Sequence, residues 1–341
     1  MTLLRNPVMR PVSPPRTETL QRGANPASRP RELFVRTVER QRGDQRASAP
    51  RSYVFLHGLG GTQTYWTAAS GESHLPPDST LVDLLGFGRS PRPLIRYTLE
   101  THLAALEPVL ESQAPSVLVG HSLGASLALA YAAKHPNHVT ALVLIGLPSY
   151  GGPRGAFRWF RRRLRGWFLT NMVLTALVCV LTRRLLGPIL PMLIRDVPPE
   201  VARDLVEHNF MSSTTSLWNV LYRRDVTFDL NALPEDLPVL FIHGTDDATA
   251  PIDSIRGLVD GRRRSQLVEL VGVDHHPWLR HPTECAERIS RAWWDVHRED
   301  GSFCESGSVD GGVLARRQCT FLSAGPAQQN QIVRNQSRKE S

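Results

Sequence analysis

Cysteine, lysine and long apolar runs are all scarce in this chain of 341 residues. The cysteines stand at 179, 285, 304 and 319, with no C-x-x-C spacing. That pattern argues against both a zinc site and a disulfide framework, so we expect a reducing compartment, no metal and no cofactor. Prolines interrupt the N-terminal residues, which leaves no apolar core for a signal peptide, and we therefore expect a cytoplasmic location.

Positive charge is concentrated near the N-terminus. The formal net charge is +8, and residues 1–50 hold ten arginines against four acidic residues. The remainder of the chain is nearly balanced, and it contains no nucleic-acid recognition motif. Nucleic acid is therefore not an expected partner.

The middle of the chain alternates between two patterns. Short β-branched runs predict strands at 33–38, 52–56, 80–84, 116–119, 141–145, 238–242 and 266–271, and helical patterns follow at about 98–112, 123–135, 252–260 and 283–297. This alternation predicts an α/β fold with a doubly wound, mostly parallel sheet, whose functional sites gather at the carboxyl ends of the strands.

The domain organisation follows from where the alternation holds and where it stops. The core is predicted in two parts, 31–147 and 236–298, separated by an inserted helical cap at 148–235. An Arg/Pro-rich tail at 1–30 and a Ser/Gly/Gln-rich tail at 299–341 lack sustained periodicity and are predicted to be disordered.

A serine follows the predicted strand at 116–119. Residues 120–124 spell G-H-S-L-G, and the glycines two positions to either side allow Ser122 to occupy a sharp turn between strand and helix. A serine hydroxyl is a weak nucleophile at neutral pH, so it needs a histidine base and a carboxylate that orients the base. Ser122 is thus a candidate nucleophile.

Candidates for the acid and the base follow two later strands. The loop after 238–242 contains Asp246 and Asp247, and the loop after 266–271 contains Asp274, His275 and His276. The order serine, acid, histidine is the one expected for a triad on this architecture.

These motifs together resemble those of the α/β-hydrolase fold family, over about residues 31–298. The resemblance rests on the turn at 57–60 (H-G-L-G), the segment at 83–90 (D-L-L-G-F-G-R-S), the serine turn and the acid and base loops. The family's acid loop, G-x-x-D-x-x-x-P, selects Asp247. The usual position of the histidine, three residues after a glycine, selects His275, with His276 as the rival.

The resemblance also implies an oxyanion hole. Its two donors would be the backbone amides of Leu59 and Leu123, and His57 would be structural, its ring bonded to loop backbone. His121 would either line the substrate pocket or serve as a packed spacer, and we assign it to substrate binding.

A serine nucleophile excludes the relatives that open epoxides or displace halide, because those enzymes use aspartate. The expected function is that of a serine hydrolase cleaving a hydrophobic carboxylic ester or related acyl bond through an acyl-enzyme. Alternatives on the same fold are an acyltransferase, a carbon–carbon bond hydrolase, a cofactor-free perhydrolase and, from another class, a non-catalytic binding module.

The predicted cap points to an apolar substrate. Residues 155–168 form a basic amphipathic pattern that includes Trp167, which we assign to substrate binding, and 167–181 is almost wholly apolar but too short to span a membrane. We expect this apolar segment to be a cap helix against the active site. Two roles stay open for the cap: its apolar face is cap core, or it is a lid that makes peripheral contact with an anionic membrane to collect a lipid-like ester.

Overall fold

The strands of this chain form a single sheet with helices on both faces. The computed structural model describes residues 32–38, 52–162, 171–186, 192 and 197–290. The predicted tails at 1–30 and 299–341 lie outside these ranges.

Seven strands make up the described sheet. They are β1 (Val35–Val38), β2 (Ser52–Leu56), β3 (Ser79–Val82), β4 (Ser116–His121), β5 (Val139–Ile145), β6 (Val239–Gly244) and β7 (Ser265–Leu270). Their order is β1-β3-β2-β4-β5-β6-β7, with β1 antiparallel to β3 and every other pair parallel. The predicted mostly parallel sheet is confirmed, and the strand bounds differ from the predictions by one or two residues.

The helices of the core lie between these strands in the chain or, for the last two, after β7. They are α1 (Thr64–Thr67), α2 (Leu99–Ser112), α3 (Leu123–Lys134), α9 (Ile252–Val259), α10 (Pro277–Arg280) and α11 (Pro282–Ser290). Sequence patterning missed α1 and α10, because four residues are too few to show a helical period.

Between β5 and β6 the described chain adds only helical elements. These are α4 (Pro153–Arg161), α5 (Met172–Leu181), α6 (Pro199–Asp204), α7 (Phe210–Ser216) and α8 (Val226–Ala232), with π-helical turns at Thr182–Leu186 and Leu217–Tyr222. One isolated bridge, between Phe87 and His208, ties this insertion to the loop after β3. The bounds of the insertion as a cap stay a prediction.

Side-chain alternation along the strands divides the core into two layers. In β2, Val54 and Leu56 face one layer and Phe55 faces the other. Helix α3 is buried along almost its whole length, because it packs within the layer that contains Val54 and Leu56. The serine turn therefore lies between a buried strand and a buried helix, both of which hold it rigidly.

Candidate active site

Ser122 occupies a strained turn between β4 and α3. Its φ is 52° and its ψ is −110°, a conformation that non-glycine residues rarely adopt. The flanking glycines make the turn possible: a Cβ on Gly120 would lie 2.4 Å from the carbonyl oxygen of Gly124, and one on Gly124 would lie 2.2 Å from that of Leu56. Backbone approaches this close admit only glycine at both positions.

His275 connects Ser122 to Asp247. Its Nε2 is 3.0 Å from Ser122 Oγ, and its Nδ1 is 2.7 Å from Asp247 Oδ2. An ionised carboxylate can only accept, so Nδ1 carries the proton and Nε2 is left to accept from the serine hydroxyl. The residues come from three loops at the carboxyl ends of β4, β6 and β7, which the parallel sheet brings together.

Asp247 is buried and accepts four hydrogen bonds. Oδ1 accepts from the backbone amides of Thr249 and Ala250, each at 2.8 Å. Oδ2 accepts from His275 and also lies 3.2 Å from Nε2 of His243. Burial alone would raise the pKa of this carboxyl, but hydrogen bonds from His243 and His275 hold the pKa well below its usual range. The carboxylate therefore stays charged at neutral pH.

His243 is a site residue that sequence reasoning missed. It lies in β6, fully buried, and its Nε2 donates to the carbonyl of Ala250 at 3.1 Å as well as toward Asp247. Its Nδ1 has no hydrogen-bond partner among the described residues, so the described polar contacts of the ring are made through Nε2. The available signal was its position four residues before Asp247, at the end of the strand.

The rival candidates lie beside the site. Asp246 is exposed and accepts from the Thr245 hydroxyl. The ring of His276 packs near Tyr65 and His121, and burial lowers its pKa to about 4. Asp247 is hydrogen-bonded to the imidazole of His275, and the described contacts of Asp246 and His276 include no such bond.

His121 is packed into the base loop. It is 3% exposed, its ring stacks on Tyr65 at 4.4 Å, and its Nε2 donates to the carbonyl oxygen of His275 at 2.8 Å. Burial holds its pKa well below the usual value, so the ring is neutral. These contacts match the packed alternative, while the burial opposes the assignment of His121 to substrate binding.

The turn that carries Leu59 is fixed by His57. Nε2 of His57 accepts from the amide of Leu84 at 2.9 Å, so Nδ1 carries the proton and donates to the carbonyl of Gly58 at 2.8 Å. The structural role expected of His57 is confirmed. Leu123 begins α3, where first-turn amides have no acceptor within the helix, and this is the position expected of an oxyanion donor.

Asp83 stabilises the chain just after the turn at 57–60, and sequence reasoning did not single it out. Its carboxylate accepts from the amides of Gln63 and Arg89, at 2.7 and 2.9 Å. A Cβ on Gly88 would lie 2.4 Å from this carboxylate, which explains the second glycine of the G-x-G turn. The 83–90 segment thus supports the turn that presents Leu59.

Several expectations fall outside this geometry. Trp167 lies outside the described residues.

A cavity of about 450 Å³ is lined by Val180, Arg184, Val206, Glu207 and Phe210, none of which belongs to the Ser122 site. Within the described ranges no cluster of side chains suits a metal ion, and none of the helices there is long and apolar enough to cross a bilayer.

Known proteins share both the sequence pattern and the fold. The profile of the α/β hydrolase family matches residues 53–288, more than two thirds of the chain. The chain belongs to the α/β hydrolase family. Among solved structures, a thermophilic esterase from Thermogutta terrifontis superposes with a TM-score of 0.56 at 21% identity, covering 75% of this chain and 91% of that one. This likeness shows the fold.

Two curated relatives of this chain are similar over shorter segments. Probable lysophospholipase BODYGUARD 1 of Arabidopsis thaliana is 40% identical over 116 residues, 31% of this chain and 25% of the relative. Lipase LipV of Mycobacterium tuberculosis is 37% identical over 101 residues, 29% of this chain and 38% of the lipase. The chain thus aligns with well under half the length of either relative.

Proposed function

We propose that this α/β hydrolase cleaves carboxylic esters through an acyl-enzyme formed on Ser122. The observation that carries the proposal is the position of His275, within hydrogen-bond distance of both Ser122 Oγ and Asp247 Oδ2. A binding module has no need of a nucleophile, a base and a buried ionised acid in register.

The reaction would proceed in two acyl-transfer steps. Ser122 Oγ attacks the ester carbonyl while Nε2 of His275 takes its proton, and Asp247 stabilises the resulting imidazolium. The oxyanion is held by the amides of Leu59 and Leu123. His275 then gives its proton to the leaving alcohol, and water activated by the same ring hydrolyses the acyl-enzyme.

A hydrophobic acyl group is the substrate class best supported. The segment after β5 joins the acid loop through a hydrogen bond from the Tyr150 hydroxyl to the carbonyl of Thr249, 2.9 Å long. Tyr150 also belongs to an aromatic cluster with Phe160, Trp218 and Tyr222. An aromatic wall beside the acid loop suits an apolar chain, and two relatives are named as a lipase and a probable lysophospholipase.

Pre-steady-state hydrolysis of p-nitrophenyl esters of increasing chain length tests the proposal. We expect a burst of p-nitrophenol, as acyl-enzyme accumulates, and a kcat/KM that rises from acetate to octanoate. Ser122→Ala should lower kcat at least about 10⁴-fold. Ser126→Ala is the matched control, because this buried serine lies one helical turn further along α3. Equal activity of Ser122→Ala and wild type would refute the proposal.

The same assay separates the alternative acyl acceptors. Addition of an alcohol or of hydrogen peroxide to the burst reaction competes with water for the acyl-enzyme. Product that shifts predominantly to the new ester would indicate an acyltransferase, and product that shifts to the peracid would indicate a perhydrolase. We expect the free acid to dominate, which is the hydrolase result.

A further inference from the structure

Helix α5 exposes a large part of its apolar surface. Nine of the ten residues from Met172 to Leu181 are hydrophobic, but four of these are exposed and five are only partly buried, and the one buried member is the polar Thr175. Its hydroxyl donates back to the carbonyl of Asn171, which satisfies it within the helix. A surface helix normally has the opposite arrangement. The expectation that this segment is a cap helix against the active site stays a prediction.

The exposed residues form a continuous row, which we call the α5 stripe. Val173, Leu177 and Leu181 are 78%, 59% and 53% exposed and follow one another at intervals of four, so they share one face of the helix. Leu185, 64% exposed, continues the row on the π-helical turn. Contiguous apolar surface of this kind marks an interaction site rather than an ordinary scatter of exposed side chains.

The sequence segment that contains the α5 stripe carries charge of one sign, although the acidic Glu207 lies beside Arg184 and Val180 at the cavity described above. Residues 148–195 contain nine arginines, at 154, 158, 161, 162, 163, 165, 183, 184 and 195, and no lysine, aspartate or glutamate. The net charge of the chain beyond residue 50 is small because this strongly basic segment is offset by an acidic remainder. Arg184 is exposed on the same π-helical turn as Leu185, and α4 exposes Arg154, Arg158 and Arg161.

Aromatic surface accompanies these arginines on α4. Phe157 is exposed, and the guanidinium of Arg161 lies 5.5 Å from the centre of its ring. Exposed aliphatic and aromatic side chains mixed with arginine, in helices too short to span a bilayer, are the composition of segments that lie in a membrane interface.

We propose that the α5 stripe, together with the exposed arginines of α4 and Arg184, docks this chain onto the surface of an anionic phospholipid bilayer. The apolar row enters the boundary between headgroups and acyl chains, and the guanidiniums bind lipid phosphates. The inference extends the proposed function, since it places an ester hydrolase at the surface where long-chain acyl substrates reside. A second copy of the chain would match the apolar row but would bring a like-charged surface to it.

Vesicle flotation of the full chain tests the docking surface independently of catalysis. The lipids are phosphatidylcholine alone, and phosphatidylcholine with about one third phosphatidylglycerol. We expect flotation with the anionic vesicles at about 0.05 M salt and a clear loss at about 0.5 M. A triple variant, Val173→Ser, Leu177→Ser and Leu181→Ser, should bind at least tenfold more weakly. Val271→Ser is the matched control, because Val271 is 87% exposed and lies after β7 in the core.

A second variant tests the charge. Arg158→Gln with Arg161→Gln and Arg184→Gln should weaken binding at low salt and flatten its salt dependence. Hydrolysis of soluble p-nitrophenyl butyrate should be the same for both triple variants and for wild type. That readout shows that each variant is folded, and it separates failure of the docking surface from failure of the proposed hydrolase.

Four results would overturn the proposal. The first three are absence of flotation at low salt, equal flotation of the serine triple variant and wild type, and equal binding to neutral and anionic vesicles. A fourth is self-association of the wild type without vesicle binding, relieved by the serine substitutions, which would assign the stripe to a second copy. Flotation that persists when Ser122 proves dispensable for esterase activity would leave the docking surface standing and refute the hydrolase.

Discussion

Replacement of His121 by methionine distinguishes a residue that holds the base loop from one that lines a pocket. The His121 ring donates to the carbonyl oxygen of His275 at 2.8 Å, and methionine fills similar space without a donor. A buried carbonyl left without a partner costs about 1–3 kcal/mol. If the loop shifts to relieve that cost, the imidazole of His275 moves with it relative to Ser122 Oγ.

The expected magnitude follows from this range. Each 1.4 kcal/mol of lost transition-state stabilisation is a factor of ten, so His121→Met should lower kcat about 5- to 150-fold. KM should change little, because the ring is buried and makes its polar contact with backbone. His121→Gln can place an amide donor near the position of Nε2, and it should recover part of the lost rate.

Steady-state kinetics on esters of two chain lengths make the test. Thermal unfolding of each variant provides the control for folding. A rise in KM that depends on chain length, with kcat unchanged, would show that His121 contacts substrate and would refute the reasoning. Unchanged kcat and KM in the methionine variant would refute it as well, since the hydrogen bond to the base loop would then have no effect on the reaction.

Further predictions concern the acid, pH stability and the serine turn. His243→Met removes one hydrogen-bond donor from the buried carboxylate of Asp247 and should lower the free energy of unfolding by about 1–3 kcal/mol. His243→Gln can keep a donor and should lose less, and equal losses for both variants would contradict this role. Burial lowers the pKa of His102 to about 3. Between pH 6.5 and 3 this imidazole is protonated in the unfolded state but not in the folded state, so the free energy of unfolding must fall as the pH drops. Denaturant titrations of His102→Gln should show a shallower fall than those of the wild type, by up to about 1.4 kcal/mol per pH unit. Gly124→Ala should destabilise the fold by more than about 3 kcal/mol through its clash with backbone, whereas Gly257→Ala, with open space in α9, should be neutral or stabilising in the same titration.

The positions of Ser122, Asp247 and His275 were predictable because each follows a parallel strand. Once the strands are recognised, topology alone brings their carboxyl ends together, and motif spacing selects the residues. The structure places these three side chains in hydrogen-bond contact. The strand that carries each one is confirmed, while its role in catalysis stays a proposal.

The surroundings of the site were much less predictable. His121 lies one residue before Ser122, yet its partner is a carbonyl 154 positions away, a relation that no local pattern encodes. Asp83 accepts hydrogen bonds from two backbone amides, and His243 shares the carboxylate of Asp247 with His275. Contacts of these kinds have no sequence signature of their own. These residues are visible only when the loops are folded against one another.

The apolar segment at 172–181 shows a different limit. Hydrophobicity predicts that a helix buries such residues, but it does not say whether the apolar phase is protein core or another partner. In the structure Thr175 is buried and Val173 is exposed, so part of the apolar surface of this helix is not protein core. The basic pattern at 155–168 was recognisable in the sequence, but the net charge summed over the chain beyond residue 50 gave no sign that the basic segment extends over 148–195.

Covalent labelling by a fluorophosphonate, located by peptide mass spectrometry, tests the central claim most directly. The reagent reacts with a serine only when a base activates the hydroxyl and an oxyanion hole receives the phosphoryl oxygen. The account predicts a single adduct on Ser122 in the folded wild type and its absence in Ser122→Ala, with Ser126→Ala labelled normally. An unlabelled folded wild type, or an adduct on another serine that survives Ser122→Ala, would contradict it.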